Sequence, residues 1–460
     1  MSLAPAGFER ALAAQQAGRV DEAITLYRRI VARQPGFAPA HFNLGLLYLS
    51  RNELAEAVHC FEGAARLRPT AADAWLNLGA ALERLERLAD AVLAYDRVIG
   101  CAPEDVRGPY NRGNALLALG RMNEAEASFR AVLELDEHHV DAQWNLATAL
   151  LGQGQLAQGW EQYEWRWKQR GLDPASRFGF PLWAGEPLAG KRILVWREQG
   201  IGDEILFATC VRDLVAAGAE VTFAATPRLA PLFARGLPGV RVIDDGGWGD
   251  ETFDYHAPIG ALPRQVRKHL TSFHGEQRLL VADSAQASRW AKRLGKLGDG
   301  LRIGICWRSG LSTPERDRHY SRLEQWAPLF QLSDVHWVNL QYDDCEAELA
   351  GAEKTFGIKI HRWKGEDLRD DLESVVGLLW NLDGVVTAPT AVGSLAGGAG
   401  VRTWQVDVGG DWTCHGRSQS PWFPSLSVRS RPYGSTDWRT VFEGLAGEIE
   451  QLAARELVVA

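Results

Sequence analysis

A glycine–acid pair, Gly202-Asp203, stands within REQGIGDE (197–204), where the apolar run RILVW gives way to a helical stretch. An aspartate at a helix start commonly caps backbone N–H groups. Facing a cleft, the same carboxylate suits a general base that takes a proton from an attacking hydroxyl. The glycines beside it lack the spacing of a dinucleotide fingerprint, and no acid follows a second strand at the distance a ribose would need.

Cations gather further along. Arg308 ends an apolar run, and Arg316, Arg318 and His319 follow in WRSGLSTPERDRHYS (307–321). Forked guanidinium donors suit a phosphate leaving group, although a solvated loop carries the same residues, and for Arg316 that plainer reading is preferred. In APTAVGSLAGG (388–398) a helix starts directly after a strand, so Thr390 and the N–H groups of the first turn form an anion site. Gly393, Ala396, Gly397 and Gly398 are small enough to let that helix press against a sheet.

These residues need a frame that brings them together, and the pattern of the C-terminal two thirds supplies one. RILVW, EVTFAA, VRVI and YHAPI alternate with helical stretches. After the amphipathic DSAQASRWAKRLGKLGDG the alternation restarts with RIGICW, HWVNLQY, IKIHRW, GVVTA and TWQVDV. Two consecutive α/β halves predict two parallel, doubly wound sheets facing each other across a cleft. Ligands of such sheets lie at the carboxyl ends of the strands, which selects the loops 197–204, 307–321, 341–346 and 388–398.

The first third is a repeat. HFNLGLLY, AWLNLGAAL, PYNRGNALL and QWNLATALL recur 34 residues apart, with the large and small positions of a tetratricopeptide helix pair. Asn43, Asn77, Asn111 and Asn145 keep strict register on the first helix of each pair, two residues before a Gly or Ala. On the concave face of a solenoid, stacked amides can grip an extended peptide through both donor and acceptor; the plainer alternative is a hydrogen bond between repeats. The expected organisation is α + α/β. Residues 1–170 form a solenoid of about five units, and 171–190 a Pro/Gly-rich linker. Residues 191–282 and 301–436 form the two halves, 283–300 a bridging helix, and 437–460 a last helix packing back across the junction.

Composition narrows the function. A net charge of −8 without a basic stripe argues against a nucleic-acid partner. Six scattered cysteines without a CxxC pair suit a reducing compartment and predict no zinc site. There is neither a signal-peptide pattern nor an apolar run long enough to span a membrane, so a cytoplasmic protein is expected.

GIGDEILFA and APTAVGSLAGGAGVRTW resemble the GT-B glycosyltransferases of the ADP-heptose heptosyltransferase type. With GICWRSG, VNLQYDD, GDWT and SPWFPS, nearly the whole chain is similar to bacterial proteins that fuse tetratricopeptide repeats to this domain, some of which glycosylate flagellin with nonulosonic acids. The asparagine register resembles the ladder of the O-GlcNAc transferase superhelix. The resemblance implies a GT-B fold, Asp203 as catalytic base, and Arg308 at the departing phosphate. It implies a donor subsite drawing on Gly202, on Trp307, Ser309, Arg318 and His319, on Gln341 and Tyr342, and on Pro389, Thr390, Ala391, Val392 and Ser394.

The donor loop departs from the family pattern. Heptosyltransferases carry Asp-Thr and, four residues later, His, where this chain has Pro389-Thr390 and Ser394. A lost carboxylate is consistent with a sugar that is itself anionic, because two buried anions would repel. The expected function is therefore metal-independent, inverting transfer of a sugar, a nonulosonic acid from a CMP donor, to Ser/Thr of a protein held by the repeats, flagellin in the first instance. A neutral nucleotide sugar such as UDP-GlcNAc is the alternative within enzymes. A scaffold with a non-catalytic GT-B part is the alternative outside them. No cofactor other than the donor is expected.

Overall fold

A computed structural model describes residues 7–275, 278–311, 313, 317, 319–409, 411–431 and 437–459. They form two compact units divided between Ala149 and Leu150.

The first unit is a run of antiparallel helices: Phe8–Gln16, Val20–Arg33, Ala38–Ser50, Leu54–Leu67, Ala72–Arg84, Leu88–Cys101, Arg107–Ala118, Met122–Leu135 and the start of Val140–Gly152. Its periodicity has a direct steric cause. A Cβ built on Gly45 would lie 2.7 Å from the Phe61 ring, one on Gly79 2.4 Å from Tyr95, and one on Gly113 2.6 Å from Phe129. The glycine of one helix thus receives the aromatic ring of the next, and any side chain there would drive the pair apart. The turns repeat with the same period: Gly18, Asn52, Glu86, Gly120 and Gly154 all take a left-handed φ, the conformation that ends a helix and reverses the chain.

The second unit starts with helices Leu156–Tyr163 and Arg166–Gln169. Both lie inside the solenoid bounds expected from sequence, and their side chains also pack against the α/β part of this unit. Trp160 is 1% exposed, donates its indole N–H to Arg267 O at 3.1 Å, and meets Phe207, Trp412 and Trp422 edge-on.

Four strands follow, β1 (Arg192–Trp196), β2 (Glu220–Ala225), β3 (Arg241–Asp244) and β4 (Tyr255–Pro258), in a parallel sheet of order β3-β2-β1-β4. The Pro/Gly-rich linker pairs with it: Leu182 bridges His256, and Trp183 N–H donates to His256 O at 2.8 Å.

The bridging helix is Ser284–Leu294, capped by Asp283. The second sheet holds β5 (Leu301–Cys306), β6 (Val335–Asn339), β7 (Ile360–His361), β8 (Gly384–Thr387), β9 (Thr403–Asp407) and β10 (Leu426–Ser430). Its order is β10-β9-β8-β5-β6-β7, again parallel. Strand β10 was not anticipated, because LSVRS lies among turn-forming residues and only pairing with β9 reveals it.

The last helix, Arg439–Val459, also differs from expectation. Among its described side chains, Phe442, Leu445 and Ile449 sit in the second half's own core with Trp326, Trp337 and Trp404, instead of crossing back to the first half. Those indoles leave an apolar face that the helix covers.

Candidate functional site

In both sheets the strand order reverses once, between β1 and β4 and between β5 and β8. Ligands of parallel sheets bind where such a reversal separates the loops. The loops that follow β1 and β8 each start a helix, Ile201–Ala208 and Ala391–Gly398, and the two helices touch at their N-terminal turns. A Cβ built on Gly202 would be 3.3 Å from Ser394 Oγ and 4.0 Å from Ala391 Cα, while one on Gly398 would be 3.0 Å from Ile205 Cγ2. Gly202 and Gly398 are therefore points of close approach between the halves. Two positive helix ends converge beside it.

Asp203 stands in the first turn of its helix and is half-buried. Its Oδ2 accepts a long hydrogen bond, 3.4 Å, from Gly200 N–H. Burial pushes its carboxyl above the usual range, and the Glu198 charge adds to this against the Gly200 N–H and Arg170. Asp203 thus makes the reach-back contact of a capping box at a long 3.4 Å, and its buried, raised carboxyl is also of the kind found at functional sites. The neighbouring Glu204, not singled out from sequence, is fully buried and ties the helix to the end of β2 by accepting from Thr226 N–H at 2.8 Å and Thr226 Oγ1–H at 2.5 Å.

Thr390 caps the opposing helix, accepting from Val392 N–H at 3.3 Å, and its carbonyl accepts from Gly393 N–H at 3.0 Å. Two first-turn donors are thus already engaged, which leaves the Ala391 N–H as the one not engaged by this cap. Pro389 is half-buried beside it, and the Val392 side chain is in the core.

Arg308 does not stand as an open cation. Its guanidinium bonds Glu348 at 2.5 and 3.2 Å, donates to Asp344 O at 3.2 Å and pairs with Asp343. A phosphate would have to compete with those carboxylates. Trp307, expected at the donor, is instead a core side chain, 1% exposed, with its indole N–H on Glu348 Oε2 at 2.5 Å. The pleat turns it inward. Gln341 is also internal, stapling two loops through Arg308 O at 3.0 Å and Asp343 Oδ1 at 2.7 Å. Tyr342 Oη meets Ser309 Oγ at 3.3 Å and accepts from Gly310 N–H at 3.2 Å, which shapes the turn after β5.

His319 is partly exposed, with Nδ1 2.7 Å from Asp407 Oδ1 at the end of β9. Arg316 and Arg318 lie outside the described residues. Beyond β6 and β7 opens a cleft of about 850 Å³ whose wall includes Tyr342, Trp363 and Arg362, with carboxylates from Asp343, Asp344, Glu346, Glu366 and Asp367. Among the described residues no group of three acids, histidines or cysteines is arranged to hold a metal ion.

In the first unit the four asparagines occupy the first helix of successive pairs, each half-buried. Asn43 donates to Tyr27 Oη at 3.1 Å, Asn77 to Asp73 O of its own helix at 2.8 Å, and Asn145 to Asn114 Oδ1 at 2.8 Å. Asn111 keeps the register between them. Two of these bonds, from Asn43 and Asn145, reach back to the preceding repeat, and the Asn77 bond stays within its own helix, so the plainer reading of a bond between repeats holds for two of the three amides.

The sequence reading missed four residues around the β1 loop: Tyr163, Arg166, Glu198 and Gln199. The density of aromatic and charged residues in GWEQYEWRWKQR was the available signal.

A helical-repeat segment joined to a two-sheet α/β unit is thus the class of molecule. Residues 8–59, 48–106 and 110–164 match the tetratricopeptide repeat family, and this part of the chain consists of such repeats. Over 293 residues the chain is 35% identical to Protein FlbA of Caulobacter vibrioides, covering 59% of this chain and 49% of that protein. The chain thus spans about half the length of the curated relative it matches. Among solved structures, MamA shares 18% identity with a TM-score of 0.34, covering 37% of this chain and 97% of that one. YrrB, described as a TPR protein with an unusual peptide-binding site, shares 23% with a TM-score of 0.33, covering 35% and 83%. No helix among the described residues is long and apolar enough to cross a membrane.

Proposed function

We propose that the protein is an inverting, metal-independent glycosyltransferase of GT-B type, working in the cytoplasm on a protein captured by its repeats. The observation that carries this reading is the meeting of two helix N-termini from opposite sheets at Gly202 and Ser394, with the half-buried Asp203 carboxyl in the same turn. In the reaction, Asp203 takes the proton of a Ser/Thr hydroxyl as its oxygen bonds the anomeric carbon. The bond from that carbon to the donor phosphate breaks, and the electron pair leaves with the phosphate. Positive potential from the Ala391–Gly398 helix end stabilises the departing charge, and Arg308 and His319 add to it to the extent that the phosphate displaces their carboxylate partners Asp343, Glu348 and Asp407.

The donor in this reading is a CMP-activated nonulosonic acid, since the Pro389-Thr390 and Ser394 loop offers no carboxylate to oppose the sugar's own. The acceptor is a flagellin-like protein. One observation favours the second reading, a neutral sugar such as that of UDP-GlcNAc: the cleft beyond β6 and β7 has carboxylates from Asp343, Asp344, Glu346, Glu366 and Asp367 among its lining residues, beside Arg362 and Lys364, and a sugar carboxylate there would meet like charge.

The test is a thermal-shift panel of CMP, UDP, ADP and GDP on the full chain, followed by transfer to purified acceptor read by intact mass. A shift with CMP alone and a mass gain on the acceptor support the first reading. A shift with UDP supports the second. No shift with any nucleotide leaves a scaffold and ends the transferase reading.

A further inference from the structure

The loop between β1 and its helix is held in an unfavourable conformation. Gln199 has φ 63°, a left-handed value that a residue with a Cβ rarely adopts. Such a conformation persists only where the surroundings over-determine it. Here the surroundings come from the two helices that follow the solenoid.

Tyr163 is 3% exposed and exchanges hydrogen bonds with the Gln199 side-chain amide, receiving Nε2–H at 2.8 Å and lying 3.1 Å from Oε1. Next to it, Arg166 is 1% exposed and grips Glu198 through two parallel bonds of 2.8 and 3.0 Å. Glu198 also accepts from Gly260 N–H, at the end of β4, at 2.9 Å. The Tyr163 ring lies 4.6 Å from the Arg166 guanidinium, so the two clamps brace each other. The two residues immediately before Gly200 are therefore fixed by side chains from 163–166, and Gly200 N–H is the donor to Asp203 Oδ2.

We propose that Tyr163, braced by Arg166, is a positioning residue for Asp203. Through Gln199 it holds the turn that sets the direction of Gly200 N–H and hence the place and proton affinity of the Asp203 carboxylate. The charged groups that bear on this carboxylate are Glu198 and Arg170, and Asp203 in turn acts on the Tyr163 hydroxyl. The proposal rests on the transferase reading for the use made of Asp203, but not for the geometry.

The test uses the full chain. The Asp203 carboxyl is titrated by ¹³C NMR, its signal assigned as the one missing from Asp203→Asn. In Tyr163→Phe, which removes one oxygen, the midpoint is expected to move by roughly half a unit or more. With a working donor, kcat falls by roughly tenfold at unchanged donor KM. In a Gln199→Gly background, where the left-handed turn is unstrained and the partner amide is gone, Tyr163→Phe should add nothing further. An unmoved midpoint in Tyr163→Phe, or full additivity with Gln199→Gly, overturns the proposal. A wild-type chain that transfers no sugar ends the transferase reading, while the titration still decides whether Tyr163 positions Asp203.

Discussion

Gly202 faces Ser394 so closely that a Cβ on the glycine would sit 3.3 Å from the serine hydroxyl. That contact joins a helix of the first sheet to a helix of the second and sets the spacing between Asp203 and the Thr390 loop. Gly202 lies inside its helix and does not take a left-handed φ, so its demand is for space and not for backbone freedom. Replacing it with Ala requires the Ser394 side chain to give by a few tenths of an ångström. Gly202→Leu is expected to force the helices apart at a cost of about 1–3 kcal/mol and to abolish transfer, whereas Gly202→Ala retains most of both. Chemical denaturation beside a transfer assay separates the two.

Asp203→Asn should keep the fold and lower transfer at least ~100-fold, the scale of general-base assistance. Because burial raises its carboxyl, Asp203 stays protonated to a higher pH than an ordinary aspartate. A base must be deprotonated, so the acid limb of kcat/KM should lie above the usual carboxylate range near ~4 and be absent from the residual activity of Asp203→Asn. An acid limb retained unchanged in the variant would remove Asp203 from the role.

Arg308 and Asp343 give opposite expectations. Asp343 and Glu348 now hold the guanidinium, so Asp343→Asn should release it and tighten nucleotide binding several-fold, while Arg308→Ala should weaken it by roughly tenfold. Calorimetry with the nucleotide found by the panel reads both. Equal affinity in all three proteins would place Arg308 in a structural ion pair alone.

For the repeats, the triple variant Asn77→Ala, Asn111→Ala, Asn145→Ala should change melting little, since the Asn77 bond is exposed and local and Asn145 pairs with another side-chain amide. Acceptor affinity should fall by roughly tenfold, as several hydrogen bonds worth ~0.5–1.5 kcal/mol each are lost. A large fall in melting temperature with normal acceptor capture would show that the amides serve only the solenoid.

A fragment of residues 1–170 should be prone to association. It carries Trp160, Tyr163 and Trp167, whose partners in the whole chain include Phe207, Trp412 and Trp196. A fragment ending near 149, at the division between the compact units, lacks those rings and should remain monomeric in analytical ultracentrifugation. Equal behaviour of the two fragments would contradict this assignment.

Much of this protein is local and therefore legible in its order of residues. The 34-residue period was readable because Gly45, Gly79 and Gly113 each meet a ring from the next helix, a contact between neighbours in the chain. The strands RILVW, EVTFAA and GVVTA were readable because buried parallel strands are continuous apolar runs. Thr390 as a helix start and Asp203 in a first turn follow from the same local rules. What the order of residues left open depends on partners far away in sequence. Whether Arg308 is available was decided by Asp343 and Glu348, and whether Trp307 faces a ligand or the core by how the second sheet packs. That Tyr163 and Arg166 belong with the β1 loop was decided by Gln199 and Glu198, more than thirty residues on. Periodicity encodes which face of an element is apolar, and only the packed structure determines which distant charge or amide comes to meet it.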